Sequence, residues 1–436
     1  MTMKNPSPSN WGNPFNLPAR VPFFYGWLIL PVAALSLFIS GPGQTYTVSV
    51  FVEPIMEETG WSRTLVSSLY TAGSLSAAVT MVLVGKLFDR YGARLMLTVV
   101  GLIFGFVAIF MSQVTNPFEL YFGFAGIRTF GQGSLTLIPS ALVSLWFIRR
   151  RGKATAIASL GSSASFATFP PLAHQLISKL GWRNAWIALG FLIWGLLLPP
   201  VIAIIRRSPE SVGLLPDGDS PSSSTHSHPK ESAGFELEEI NLTTKEALRT
   251  KPFWLLMFAS SSQALISTAL VFHQVSIFGT KGIEPGIAAI ALTVMAVCSL
   301  IGTLIAGILS DKYPTRYILA GAQLVMIAAM LSTFAITRPW HGLLYNGILG
   351  IGGGLFMTTT SVIWPNYFGR RHLGSIRGLA TTSMVGFAAL GPMPFGLFFD
   401  RLGSYSLVII WFLLLPVACA IAALLAYPPK APTNTL

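Results

Sequence analysis

Twelve apolar stretches, each about as long as a bilayer core demands of a helix, take up almost the whole chain. They run over residues 24–52, 65–88, 96–113, 119–147, 154–178 and 186–206, then 252–278, 286–310, 317–336, 342–367, 376–398 and 405–427. In lipid every backbone polar group must be satisfied within the structure, so runs of this length predict an all-α membrane protein with twelve transmembrane helices. Composition agrees. Of 436 residues, 52% are hydrophobic and only 10% charged, with a mean hydropathy of +0.64, whereas a soluble globular chain is roughly a quarter charged. The first 22 residues lack the apolar stretch and cleavage site of a signal peptide. Cys298 and Cys419 both fall inside spans and are expected to pack, with no disulfide and no metal site.

The formal charge of +12 is set by topology. With the N-terminus in the cytoplasm, 21 of the 28 Lys and Arg fall in cytoplasmic segments and 6 outside, and Arg128 alone lies well inside a span. The positive-inside rule therefore puts both termini in the cytoplasm. No nucleic-acid surface is needed to explain the charge, and short termini fit a bacterial inner-membrane protein.

Between the sixth and seventh spans lies a polar stretch rich in Ser and Pro that holds eight of the sixteen acidic residues. It reads as a cytoplasmic linker, disordered in its middle, with a short surface helix from Thr243 to Arg249 before Pro252. His226 and His228 within it read as incidental. The expected organisation is an N-terminal segment 1–23, a six-helix bundle 24–206, the linker 207–250, a second six-helix bundle 251–427 and a tail 428–436.

The two bundles repeat one another. "GKLFDRYGARLM", from Gly85, returns as "GILSDKYPTRYI", from Gly307, so that Asp311 matches Asp89 and Arg316 matches Arg94. Other pairs keep nearly the same offset: Gly131 and Gly133 with Gly352 and Gly354, Pro170 with Pro392, and Leu180-Gly181 with Leu402-Gly403. Six spans separate the copies, so both halves share one orientation and form a parallel repeat about an axis along the membrane normal.

This pattern resembles the major facilitator superfamily over residues 22–427 or so. Gly85, Asp89, Arg90, Gly92 and Arg94 match the family's Gly-x-x-x-Asp-Arg-x-Gly-x-Arg turn. The resemblance implies secondary transport by alternating access, with Asp89, Arg90, Arg94, Asp311 and Arg316 as a cytoplasmic gate and Lys86 as a topological anchor. "YGWLILPVAALSLFISGPGQTYTVSVFVEPIMEETGWSRT", "WFIRRRGKATAIASLGSSAS", "RRSPESVGLLPDG" and "HQVSIFGTKG" are similar to the monocarboxylate and oxalate/formate porter branch. The branch's substrate-pairing cations do not carry over. Where its animal members place a lysine in helix 1 stand Thr45 and Tyr46; Thr303 takes the place of the helix 8 arginine, and Ser299 that of its acidic partner.

What remains at membrane depth narrows the chemistry. All sixteen carboxylates fall in loops, the linker or helix ends, so a proton that accompanies the cargo must travel on a histidine or on the cargo itself. Arginine at depth costs roughly 2.5–3.5 kcal/mol on insertion scales and needs a partner or a wet cavity. For Arg128, in an Arg-x-x-Gly-x-Gly context shared with the superfamily, anion binding and a structural tie to backbone carbonyls both stay open. Gly41, Pro42 and Gly43 mark a break or a simple kink in the first span, the kink needing less. A break would aim helix N–H groups at a carboxylate. His273 is either a ligand or proton group or a solvated interface residue, and His174 a packing residue. Gln44, Tyr46, Gln132, Gln263 and Asn346 are neutral candidates for the lining. The glycine run "GILGIGGGLF" suits close helix packing.

The expectation is a monomeric transporter without cofactor. Its cargo is a small organic anion, a monocarboxylate or related metabolite, held near the midplane by Arg128. The rivals are a carrier or exporter of a neutral or amphipathic molecule, and a membrane sensor that binds without transport. An enzyme is not expected, because no nucleophile, base and orienting group converge.

Overall fold

Ten helices are long and apolar enough to cross a membrane in the computed structural model, which describes residues 23–148, 150–218, 242–310, 312–369 and 373–429. Asp311, His226, His228 and the linker's middle lie outside the described residues, as does the side chain of Asp89. One of the ten, Lys153–Ile204, is two crossings that meet at Gly181, where φ of 77° turns the chain back. A further crossing, Pro117–Trp146, is interrupted by π winding. The twelve expected spans are thus all present.

We label them α1 (Gly26–Thr59), α2 (Arg63–Tyr91), α3 (Ala93–Met111), α4 (117–146), α5 (151–180), α6 (182–204), α7 (Lys251–Phe272, extended by Gln274–Gly279), α8 (Pro285–Ser310), α9 (Thr315–Ser332), α10 (Pro339–Phe368), α11 (373–402) and α12 (406–425). The described ends of the chain and the α2–α3 turn share one face, called here the terminal face. The α1–α2, α7–α8 and α11–α12 loops share the distal face.

Outward-facing rings and aliphatics such as Phe106, Leu304 and Ile308 stay exposed, as lipid-facing residues do when the solvent is hydrocarbon. With no hydrophobic force between helices in lipid, close backbone approach holds them together. The α10 glycine run does this against α8: a Cβ on Gly354 would fall 2.6 Å from the Thr303 nitrogen, and one on Gly350 3.0 Å from the Met295 Cα. The linker begins ordered. Asp217 accepts hydrogen bonds from the backbone N–H groups of Ile148 (2.9 Å) and Arg150 (3.2 Å) and so caps the α4–α5 turn. The short helix expected near Thr243 forms over Thr244–Leu248, with Thr243 and Glu246 as a capping box.

Candidate functional site

Helix α1 does more than kink. It ends at Ile39, passes through a 3-10 turn at Gly41–Gly43 and an extended Gln44 (ψ 151°), and restarts at Thr45. The break is pressed against α4, where residues Ile127–Ser134 wind as a π-helix, a feature often found at functional sites. Only glycines fit this crossing: a Cβ on Gly43 would lie 2.7 Å from the Gly131 Cα and 2.9 Å from the Gln132 nitrogen.

Arg128 rises from that π stretch and is 6% exposed. Its Nε donates to Ser74 Oγ (3.0 Å), and its Nη1 to the Gly43 carbonyl (3.4 Å) and Thr45 Oγ1 (3.3 Å). The guanidinium carbon sits 5.0 Å from the centre of the Tyr70 ring, and Tyr70 and Thr45 share a hydrogen bond of 2.8 Å. Among the described residues no carboxylate pairs with Arg128. Its partners are neutral oxygens and a ring face, so none of them brings a counter-charge.

Arg128 lines a cavity of about 610 Å³ between the bundles, with walls from α2, α4 and α11. Ser74, Gln132, Thr136, Thr381 and Thr382 supply polar groups; Ala77, Met81, Leu137 and Val385 supply apolar wall. Arg377, at the terminal-face end of α11, lines the same cavity. Counting it with the loop cations missed this, because a residue one turn inside a helix end can face either the interface or the interior. The Arg128 end is buried, while Arg377, Thr381 and Thr382 are exposed, so the cavity opens toward the terminal face.

Beyond Arg128 the bundles are closed. Tyr70 of α2 packs on Phe272 of α7 with ring centres 4.5 Å apart. Further out, Ser67 Oγ lies 3.5 Å from His273 Nε2, Arg63 lies over the Phe399 ring at 4.6 Å, and Thr64 N–H bonds to Asp400. On the other side Thr293 of α8 donates to the Ala167 carbonyl of α5 (2.6 Å), and His174 lies against Gly286.

The structure therefore brings Arg128 and Gln132 to one cavity, with the helix break of Gly41, Pro42 and Gly43 against its closed end. Gln44 turns back to Ser40 Oγ (3.1 Å), and Tyr46 faces α5, bonded to Ser165 (2.8 Å) and stacked on Phe166. His273 is 1% exposed and held inside the distal closure, not solvated. Gln263 and Asn346 are buried outside the cavity lining; among the described residues neither Gln263 amide atom nor the Asn346 carbonyl oxygen has a hydrogen-bond partner. Of the terminal-face charges, Arg90 lies over Tyr91, and Arg316 is sandwiched by Tyr317 and Tyr427. Arg94 is exposed.

The sequence profile of the Major Facilitator Superfamily matches residues 33–282 and 268–436. The chain belongs to that superfamily. Its relatives include monocarboxylate transporter 2 of Mesocricetus auratus, 25% identical over 88% of this chain and 80% of the hamster protein. The oxalate:formate antiporter of Oxalobacter formigenes is 23% identical over 84% of each. An aspyridones efflux protein of Emericella nidulans is 23% identical over 74% of this chain. The chain spans 61% of that fungal protein's length and 31% of a second fungal transporter's. Among solved structures, a bacterial homologue of the human lysosomal transporter Spinster superposes with a TM-score of 0.72 at 15% identity, over 93% of this chain and 97% of that one. These similarities place the superfamily member near the monocarboxylate and oxalate/formate branch.

Proposed function

We propose that this superfamily member is a secondary transporter that carries a small organic anion by alternating access, with its terminal face in the cytoplasm of a bacterial inner membrane. The observation that carries the reading is Arg128: a buried guanidinium with neutral partners only, on the wall of a cavity shared by both halves. An intramembrane charge of this kind needs an anion or water to offset its desolvation. Gln132 and the threonines orient the cargo, the Tyr70–Phe272 pair shuts it off from the distal side, and Asp89, Arg90, Arg94, Asp311 and Arg316 act where the terminal face closes. Both bundles that wall the cavity belong to one chain, and the proposed unit is a monomer. No carboxylate lines it among the described residues, so a coupled proton travels on His273 or on the cargo.

The test is thermal unfolding of the purified protein against monocarboxylates, dicarboxylates, zwitterions and neutral metabolites, with Arg128→Gln alongside. A ligand at 100 times its Kd stabilises by about 2.7 kcal/mol. Anions should stabilise the wild type and not the folded variant.

A second reading has its own support. Arg128 is also a tie between α1, α2 and α4, and Ala77, Met81, Leu137 and Val385 make much of the wall apolar. An exporter of a neutral or amphipathic molecule would use that wall; stabilisation by such compounds alone selects it.

A further inference from the structure

Resting on the anion reading just given, we infer that the cargo is a dianion, held by Arg128 of one bundle and Arg377 of the other. The observation is that these two cations line one cavity, Arg128 at its buried end and Arg377 toward its opening, and that the lining includes no acidic residue among those described. Arg128 belongs to α4 and Arg377 to α11, so the pair straddles the interface that must open and close. Arg377 has no hydrogen-bond or ion-pair partner among the described residues.

Charge balance turns this arrangement into a specificity. In the open cavity Arg377 is exposed and water screens it. When the terminal face closes, the same guanidinium loses that water, and a buried charge without a counter-charge is strongly unfavourable. A monoanion offsets only one of the two arginines. A dianion offsets both, and by drawing α4 and α11 to one molecule it favours the closed state over the open one. Arg377 presents a planar fork that matches a carboxylate or sulfonate with two parallel hydrogen bonds, while Arg128, whose Nε and Nη1 are held by Ser74, Gly43 and Thr45, offers its Nη2. Ser74, Gln132 and Thr381 are left to meet the polar middle of the cargo. The cavity of about 610 Å³ leaves ample room for a dianion of a few carbons.

The experiment measures Kd by titration calorimetry on the full-length purified protein, with malonate and succinate set against propionate and butyrate. It is repeated on Arg377→Gln and Arg377→Lys. The expected result is a preference of about tenfold or more for the dicarboxylates. Arg377→Gln should abolish that preference by weakening the dicarboxylates about tenfold more than the monocarboxylates, with an unchanged cooperative thermal transition showing that the variant is folded; Arg377→Lys should retain part of the preference. Equal binding of the two classes by the wild type, or a preference that survives Arg377→Gln, overturns the dianion inference and leaves the anion reading standing. If no carboxylate of either class binds, the anion reading itself fails.

Discussion

Asp400, near the end of α11, accepts a hydrogen bond of 2.6 Å from the backbone N–H of Thr64 in the first turn of α2, across 336 residues of sequence. A carboxylate of one bundle thus caps a helix of the other. It satisfies an orphan N–H and meets the positive end of the helix dipole. The bond joins the two bundles at the closed distal face, so under the proposed alternating access its free energy enters the equilibrium between the two faces.

Asp400→Asn should weaken that closure, because the amide keeps an acceptor but loses the charge. A cap or dipole contact of this kind is worth about 0.5–2 kcal/mol. A cysteine introduced at buried Ser67 reports the opening. Its labelling by a membrane-impermeant maleimide should accelerate by roughly 2- to 30-fold in the Asp400→Asn background. An unchanged rate would mean that the cap does not hold the gate.

Two ion pairs at the distal face should behave differently. Arg63 (5% exposed) is bidentate to Glu53, with contacts of 2.5 and 3.1 Å, and is covered by the Phe399 ring. Glu53→Gln leaves a buried cation unpaired and should cost about 3 kcal/mol, with little dependence on salt. Arg183 and Glu58 form a pair whose side chains are 32% and 47% exposed, so Glu58→Gln should cost no more than about 1 kcal/mol, and less in high salt. Chemical denaturation of both variants at two ionic strengths decides, and equal losses would contradict the burial argument.

Glycine positions give a third contrast. Gly43→Ala drives a methyl group into the backbone of α4 at Gly131 and Gln132. The neighbours are main chain, so they cannot turn aside, and overpacking of this kind costs about 1–3 kcal/mol. The same shift pulls the Gly43 carbonyl from Arg128, so anion-dependent stabilisation should fall as well. Gly85, in the repeated turn motif, has open space around its Cβ position within a helix. Gly85→Ala should be neutral or stabilise by up to about 1 kcal/mol. Thermal unfolding with and without ligand reads both variants.

These comparisons show why some features could be read from residue order and others could not. Lipid demands apolar length and internally bonded backbone, so the twelve crossings and the repeat are visible in the chain itself. Gly41-Pro42-Gly43 announced a disturbance in α1, and the structure makes it a full break because Gly43 must meet Gly131. The π winding around Arg128 has no such residue signature. Arg377 looked like one more loop cation because facing depends on helix register near an end. The contacts of His273 and Asp400 join residues far apart in the chain, and only packing of the two bundles creates them. His273 sits where an interface residue would be wet, yet the closed distal face seals it.

That seal supplies the last prediction. His273 Nε2 lies 2.8 Å from the Pro392 carbonyl oxygen, so this nitrogen donates and carries the hydrogen. Nδ1 faces Tyr405 Oη at 3.2 Å, and Tyr405 Oη donates to Ser276 Oγ at 2.8 Å. Tyr405→Phe takes the donor from Ser276 Oγ and the polar neighbour from Nδ1 in the dry closure, at a cost of about 1–3 kcal/mol. Because the two groups share one contact, Tyr405→Phe/His273→Leu should lose less stability than the sum of the two single variants. A double variant that instead loses the sum of the two single effects would show that the pair is held by shape and not by this hydrogen bond.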